Sequence, residues 1–218
     1  MKRFLRTILS LAIAGGIAVA LWPVGQVAYA RWNQNALQAQ WQNAAKAPAK
    51  KASPKATTPK EVNRKGTPKK RAAKTSAARR PAELPPTRLV IPDIGLDAVV
   101  VQGFDEAALT RGPGHEPNSA LPGQPGNCAI AAHRNVYGAW FYKVDQLWPG
   151  STITLRTPHE DFNYQVISVQ TTVDSDVSVL RPPAANEPPR LTLLTCTIPR
   201  SANRIVVVAQ LVAPPESY

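Results

Sequence analysis

Three histidines (His115, His133, His159) and two cysteines (Cys128, Cys196) are the side chains of this 218-residue chain best suited to acid–base or nucleophilic work at neutral pH. The histidines lie 18 and 26 positions apart, and none has a second His or Cys at helical or hairpin spacing, which argues against zinc. No G-x-S-x-G elbow, phosphate loop or G-x-G-x-x-G occurs. What remains is Cys–His chemistry, in which a thiolate attacks an electrophilic carbon and an imidazole moves the proton. Against it stands the plainer reading of the cysteines as a disulfide or as two buried small residues.

Local context separates the candidates. His133 ends an apolar run, Cys128 to Ala132, and opens a polar loop with Arg134-Asn135. A rigid strand end facing a loop is where catalytic groups are commonly held. Cys128 is five residues earlier, so in a continuous strand it faces away from His133. Cys196 ends its own run, Leu191 to Thr195, and Arg204 opens the next, Ile205 to Val208. If those runs form a hairpin, Cys196 and Arg204 meet at adjoining strand ends beside the connecting loop. A cation there favours a thiolate and stabilises an oxyanion.

The elements that must position these groups are short. Strand-like runs recur at Arg88–Ile91, Ala98–Val101, Cys128–Ala132, Ser151–Leu155, Phe162–Val173, Leu191–Thr195 and Ile205–Val212, separated by Gly/Pro turns. Helical stretches are expected only near Asp105–Leu109 and Ala139–Leu147. This pattern predicts a mostly β sandwich or closed barrel over residues 84–218.

Upstream, residues 1–30 read as an export segment. Lys2, Arg3 and Arg6 precede an apolar run from Thr7 to Trp22, extensible through Pro23 and Gly25 to Ala30. Two outcomes are open. A retained single-pass anchor would leave the domain outside the cytoplasmic membrane, with Trp22, Tyr29 and Trp32 at the interface. Alternatively, Pro23 and Gly25 break the helix and Ala28-Tyr29-Ala30 is cleaved, releasing a secreted protein. Residues 31–45 continue the anchor helix into water in the first case. Residues 31–83 otherwise form a juxtamembrane segment and a Lys/Ala/Pro-rich disordered linker. Residues 31–88 carry 15 cations and two acids, whereas residues 89–218 carry eight cations and 12 acids. The basic excess thus lies outside the domain, and nucleic acid is not expected as a partner. The basic tract acts as a tether, or adheres to anionic membrane or envelope polymer.

The motifs resemble the sortase family of cysteine transpeptidases. The matches are Leu121-Pro122-Gly123-Gln124-Pro125-Gly126-Asn127, Ala131-Ala132-His133-Arg134, Leu147-Trp148-Pro149-Gly150-Ser151, Leu191 to Thr197, and Arg204-Ile205-Val206-Val207. They look most like the housekeeping sortases of actinobacteria. The resemblance implies a closed β-barrel of eight strands with short helices and a catalytic triad at His133, Cys196 and Arg204. Arg200 is a rival to Arg204, which is preferred because it directly precedes the apolar strand, as the family arginine does. Ala132 stands where the family commonly has Gly. Cys128 stands where the family has an aliphatic residue and is expected in the core. His115 occupies a family position outside the triad and is expected to be structural.

By the same resemblance, Thr195 and Leu194 shape the substrate site, with Asp176 and Leu180 from the loop running to Arg190, and Arg134. Some family members bind calcium at that loop; no residues here match that role, so no metal or cofactor is assigned. The implied substrate is a protein bearing an LPxTG-like sorting signal. The implied acceptor is a primary amine, from a cell-wall precursor or a pilin lysine. Two other classes stay open, an exported cysteine hydrolase and a non-catalytic envelope-binding module. A papain-like hydrolase needs its Cys before its His in chain order, the reverse of what is found.

Overall fold

The computed structural model of the chain describes residues 2–47, 83–198 and 202–212. Eight strands close a barrel: β1 (Thr87–Ile91), β2 (Leu96–Gln102), β3 (Gly114–His115), β4 (Asn127–Ala131), β5 (Thr152–Arg156), β6 (Asp161–Val173), β7 (Arg190–Cys196) and β8 (Asn203–Leu211). Their order around the wall is β1-β2-β3-β4-β7-β8-β6-β5, with β5 pairing back onto β1. Closure removes the exposed edges that so many short strands would otherwise present. The closed eight-stranded barrel expected from the sequence is therefore the fold observed.

Two pairs are parallel, β2 with β3 and β4 with β7. Every residue of β4 is buried, because its outer face is covered as well as its inner one. β6, at 13 residues, pairs with β5 over Asp161–Gln165 on one edge and with β8 over Tyr164–Val173 on the other. The barrel interior is filled by branched and aromatic side chains, among them Leu89, Ile130, Phe141, Ile153, Leu155 and Leu193.

All seven expected runs are strands. β3 was not legible, since its two residues form no apolar run. Its Gly114 is needed for contact: a Cβ there would lie 2.2 Å from the Gly103 carbonyl oxygen. The helix expected at Asp105–Leu109 forms as α2 (Glu106–Leu109), capped by the Asp105 carboxylate, which accepts from Ala108 N at 2.8 Å. The one expected at Ala139–Leu147 does not. Tyr137, Gly138 and Ala139 have φ of 47°, 88° and 48°, left-handed values that cannot propagate a right-handed helix, and only a 3₁₀ turn follows at Val144–Gln146.

The amino-terminal helix α1 runs unbroken from Lys2 to Lys46 with Pro23 inside it, so the break at Pro23 and Gly25 is not seen. Its segment Leu11–Lys46 has an 18-residue window of mean hydropathy 1.7, apolar and long enough to cross a membrane. The linker expectation for residues 48–82 lies outside the described residues, as does Arg200.

Two consequences can be measured. Gly114→Ala should destabilise the barrel by roughly 1–3 kcal/mol, the cost of overpacking, in urea denaturation. Burial pushes the Cys128 thiol up to about 12. The folded state then keeps a proton that the unfolded chain loses above its ordinary thiol pKa, so stability falls as pH rises beyond that value. The slope approaches about 1.4 kcal/mol per pH unit. Cys128→Ala should reduce it when wild type and variant are denatured side by side at rising pH.

Candidate active site

β7 places the reactive groups, because it pairs with β4 on one side and β8 on the other. On the β8 side the pairing is antiparallel, with Cys196 directly opposite Arg204. On the β4 side it is parallel, so both strands end at the same rim of the barrel, with Ala131 opposite Leu194. The match continues one step further. Ala132 N donates to Leu194 O at 3.2 Å, and the buried Thr195 Oγ1 donates to Ala132 O at 2.8 Å. The residue just before His133 is thereby fixed to the two residues just before Cys196.

His133 leaves β4 into the left-handed loop that displaced the expected helix. Phe141 N donates to its carbonyl oxygen at 3.2 Å, and the Tyr137 ring packs on its imidazole, centroids 5.4 Å apart and tilted by 40°. The Glu106 carboxylate of α2 lies 3.5 Å from His133 Nε2. Arg204 is held along its own strand end: Nη1 donates to Asn203 O at 3.0 Å, and Nη2 is 3.7 Å from the Asp174 carboxylate.

These groups open into one cleft of about 660 Å³, within the range of small-molecule and peptide sites. All eight residues singled out from the sequence line it: His133, Cys196, Arg204, Thr195, Leu194, Asp176, Leu180 and Arg134. Their local duties differ. Asp176 caps the 3₁₀ turn Val177–Leu180, accepting from Ser178 N at 2.9 Å and from Thr172 Oγ1 at 2.9 Å. Those bonds, the Ser178 one first, hold its carboxyl below the usual range. The turn is pinned to the barrel by buried Asn127, whose amide donates to Val179 O and whose Oδ1 accepts from Thr192 Oγ1 at 2.8 Å. Arg134 is engaged by Asp145, 2.6 Å away.

Among the lining residues not singled out from the sequence are Phe104, Glu106, Tyr137 and Asp174. Phe104 and Glu106 come from the end of the β2–α2 connection and from α2, and Asp174 from just past β6, places that only the strand order brings to the cleft; Tyr137 comes from the loop after His133. Tyr137 alone had a local signal, lying four residues past His133.

The other candidates lie elsewhere. Cys128 is 1% exposed in the core, and both cysteines are free, so the disulfide alternative is not taken. His115 is fully buried, its Nε2 within 3.0 Å of Ala120 O and 3.1 Å of Ser119 Oγ, and burial lowers its pKa. Among the described residues no three His, Cys, Asp or Glu side chains converge on a common metal position.

The geometry has relatives. The chain is 32% identical to a sortase D5 transpeptidase of Clostridium perfringens, with TM-score 0.54, covering 59% of this chain and 79% of that one. It is likewise 32% identical to sortase E of Streptomyces avermitilis, with TM-score 0.53, covering 60% and 89%. Sortase D of Bacillus subtilis is 27% identical over 108 residues, 50% of this chain and 52% of the relative. The chain spans about half the length of the curated sortases of Bacillus subtilis and Streptococcus agalactiae that it matches. The family model described as Sortase domain matches residues 89–212, from within β1 to just past β8, which is more than half of the chain. With the barrel, its strand order and this match in agreement, the chain belongs to the sortase family.

Proposed function

We propose that the protein is a cysteine transpeptidase anchored in the cytoplasmic membrane, with its barrel, residues 84–218, on the outer side. The single observation that carries the reading is the register of β7: Cys196 opposite Arg204 on β8, and His133 two residues past the end of the parallel partner β4. Three groups with complementary chemistry thus share one rim and one cleft.

In this mechanism the Cys196 thiolate attacks the backbone carbonyl carbon of an LPxTG-like sorting signal. The carbon–sulfur bond forms and the carbonyl electrons move onto oxygen, where the Arg204 guanidinium meets the developing charge. The carbon–nitrogen bond then breaks, and the His133 imidazolium gives its proton to the leaving amine, leaving a thioacyl-enzyme. A primary amine, from a cell-wall precursor or a pilin lysine, attacks the thioester carbon and surrenders a proton to the neutral imidazole. Thiolate departs, and an amide bond replaces the one broken. Water can stand in for the amine, which makes hydrolysis the side reaction.

Thr195 acts as a positioning residue, through its bond to the Ala132 carbonyl. The turn Val177–Leu180, held by Asp176 and Asn127, forms the groove wall for the acyl side of the substrate. Anchoring is supported by the apolar length of α1, and residues 31–88 are available for anionic lipid or envelope polymer through their basic charge.

Three measurements test this. Cys196→Ala should abolish the thioacyl adduct with a sorting-signal peptide, read by mass spectrometry, while Cys128→Ala retains it. Adduct lost only in the Cys128 variant would overturn the assignment. Arg204→Lys keeps the charge but loses the planar fork. It should lower kcat by about 100-fold, the scale of one lost oxyanion donor, with KM little changed. Thr195→Val preserves shape and removes the 2.8 Å bond to Ala132 O. It should cost roughly 1–3 kcal/mol of stability through the unsatisfied buried carbonyl, and lower turnover as well.

A further inference from the structure

The outer wall of the barrel carries an interface with α1 that the proposed chemistry does not use. From Ala30 onward the described helix is covered along one side, with Gln26 half-buried one turn earlier. Ala30, Asn33, Gln34, Leu37, Gln38, Trp41, Ala44 and Ala45 are buried or half-buried, while the residues between them stay open. That stripe has the i, i+3, i+4, i+7 spacing of a helix docked along one face.

At its centre Gln34, only 6% exposed, completes a gap in the barrel wall. β3 is two residues long, and its register with β2 begins at Val101 opposite Gly114. Val101 N is satisfied by Pro113 O at 2.8 Å, and Val99, two residues back, points its backbone groups the same way with no strand to meet. The Gln34 side-chain amide takes the place of the missing peptide. Its Oε1 accepts from Val99 N at 2.8 Å, and its Nε2 donates to Val99 O at 3.0 Å and to Arg111 O at 3.1 Å. The opposing surface is fitted to it, since a Cβ on Gly112 would lie 2.2 Å from Gln34 Nε2.

Seven residues on, Trp41 Nε1 donates to Arg156 O at 3.3 Å. Arg88 lies over the Trp41 ring at 5.2 Å, its guanidinium oriented by two bonds to the Asp97 carboxylate at 2.8 and 2.6 Å. The helix is thus fastened at β2 and again where β1 meets β5.

We infer that α1 is a rigid mount as well as an anchor, with Gln34 as the residue that fixes the barrel, and the cleft, at one position over the bilayer. The inference rests on the membrane reading given above. Gln34 is five residues beyond Tyr29, about 8 Å along the axis at 1.5 Å per residue, so docking begins within two turns of the membrane exit. The same amide holds Arg111, two residues past α2, whose Glu106 and Leu109 line the cleft.

The full chain in phosphatidylcholine–phosphatidylglycerol vesicles tests it. A donor dye attached to the Cys196 thiol, with Cys128 protected by burial, reports its distance to acceptor headgroups by single-molecule energy transfer. Amide exchange at Val99 reports docking independently of membrane and activity, so a failed transpeptidase reading would leave both readouts intact. Wild type should give one narrow transfer distribution. Gln34→Ala should broaden it and speed Val99 exchange by about five-fold or more, the factor one such hydrogen bond supports. Gly112→Ala, which displaces the Gln34 side chain without removing it, should do the same if Gln34→Ala fails to fold. Equal distributions and equal Val99 exchange in wild type and variant would overturn the mount.

Discussion

The arrangement at the cleft depends on one strand being shared by two ladders of opposite sense. β7 runs parallel to β4 and antiparallel to β8, and this mixed pairing brings three chain ends together at one rim. A parallel neighbour delivers another carboxyl end, from which His133 departs. An antiparallel neighbour delivers an amino end, at which Arg204 arrives. An all-antiparallel sheet could not set two carboxyl-terminal strand ends side by side. Parallel neighbours need a long crossover, and here it is β5 and β6 themselves, which continue the barrel wall. The connection that makes the parallel pair possible therefore also closes the barrel that holds it.

Chemistry in such a rim is governed by what surrounds it. The domain has four more acids than cations over residues 89–218, so no general positive field favours a thiolate or an oxyanion there. Any such stabilisation must be local, and Arg204 sits opposite Cys196 in register. Its contacts with Asn203 O and Asp174 fix the guanidinium along the strand end, at some loss of free charge. Burial divides the two cysteines as firmly. Cys128, desolvated on all sides, stays protonated far beyond neutral pH, whereas Cys196 opens to the cleft. Two chemically identical side chains on neighbouring strands are thus set in opposite environments, one sealed in the core and one open to the cleft.

Most of the barrel was legible because its strands are apolar runs bounded by Gly and Pro. The Cys196–Arg204 pairing was legible because a hairpin needs only local sequence. Three things were not. β3 carries no apolar pattern, since its place is set by the close approach of Gly114 to Gly103. The segment after His133 has helical composition, but Tyr137 and Ala139 adopt left-handed backbone at a cost their types do not announce. Glu106 and Asp174 reach the cleft only through the strand order, which no window of neighbouring residues contains.

The amino-terminal helix raises a different point about reading polar residues. The docking face over residues 31–46 is mixed rather than a clean apolar stripe; Asn33, Gln34 and Gln38 share it with Leu37, Trp41, Ala44 and Ala45. A face of that kind gains little from apolar burial and would not hold two bodies together in water by area alone. It can do so where the partner surface has backbone groups already denied to water, because a primary amide can satisfy donor and acceptor together. Val99 presents such a pair, left by the shortness of β3, and Gln34 answers both. Removing that side chain would leave two backbone groups unmatched in the wall, a penalty larger than the net gain of making the bonds. The incompleteness of the third strand and the polar side chains on the helix face are therefore one feature seen from two sides, and it ties the amino-terminal helix to the barrel.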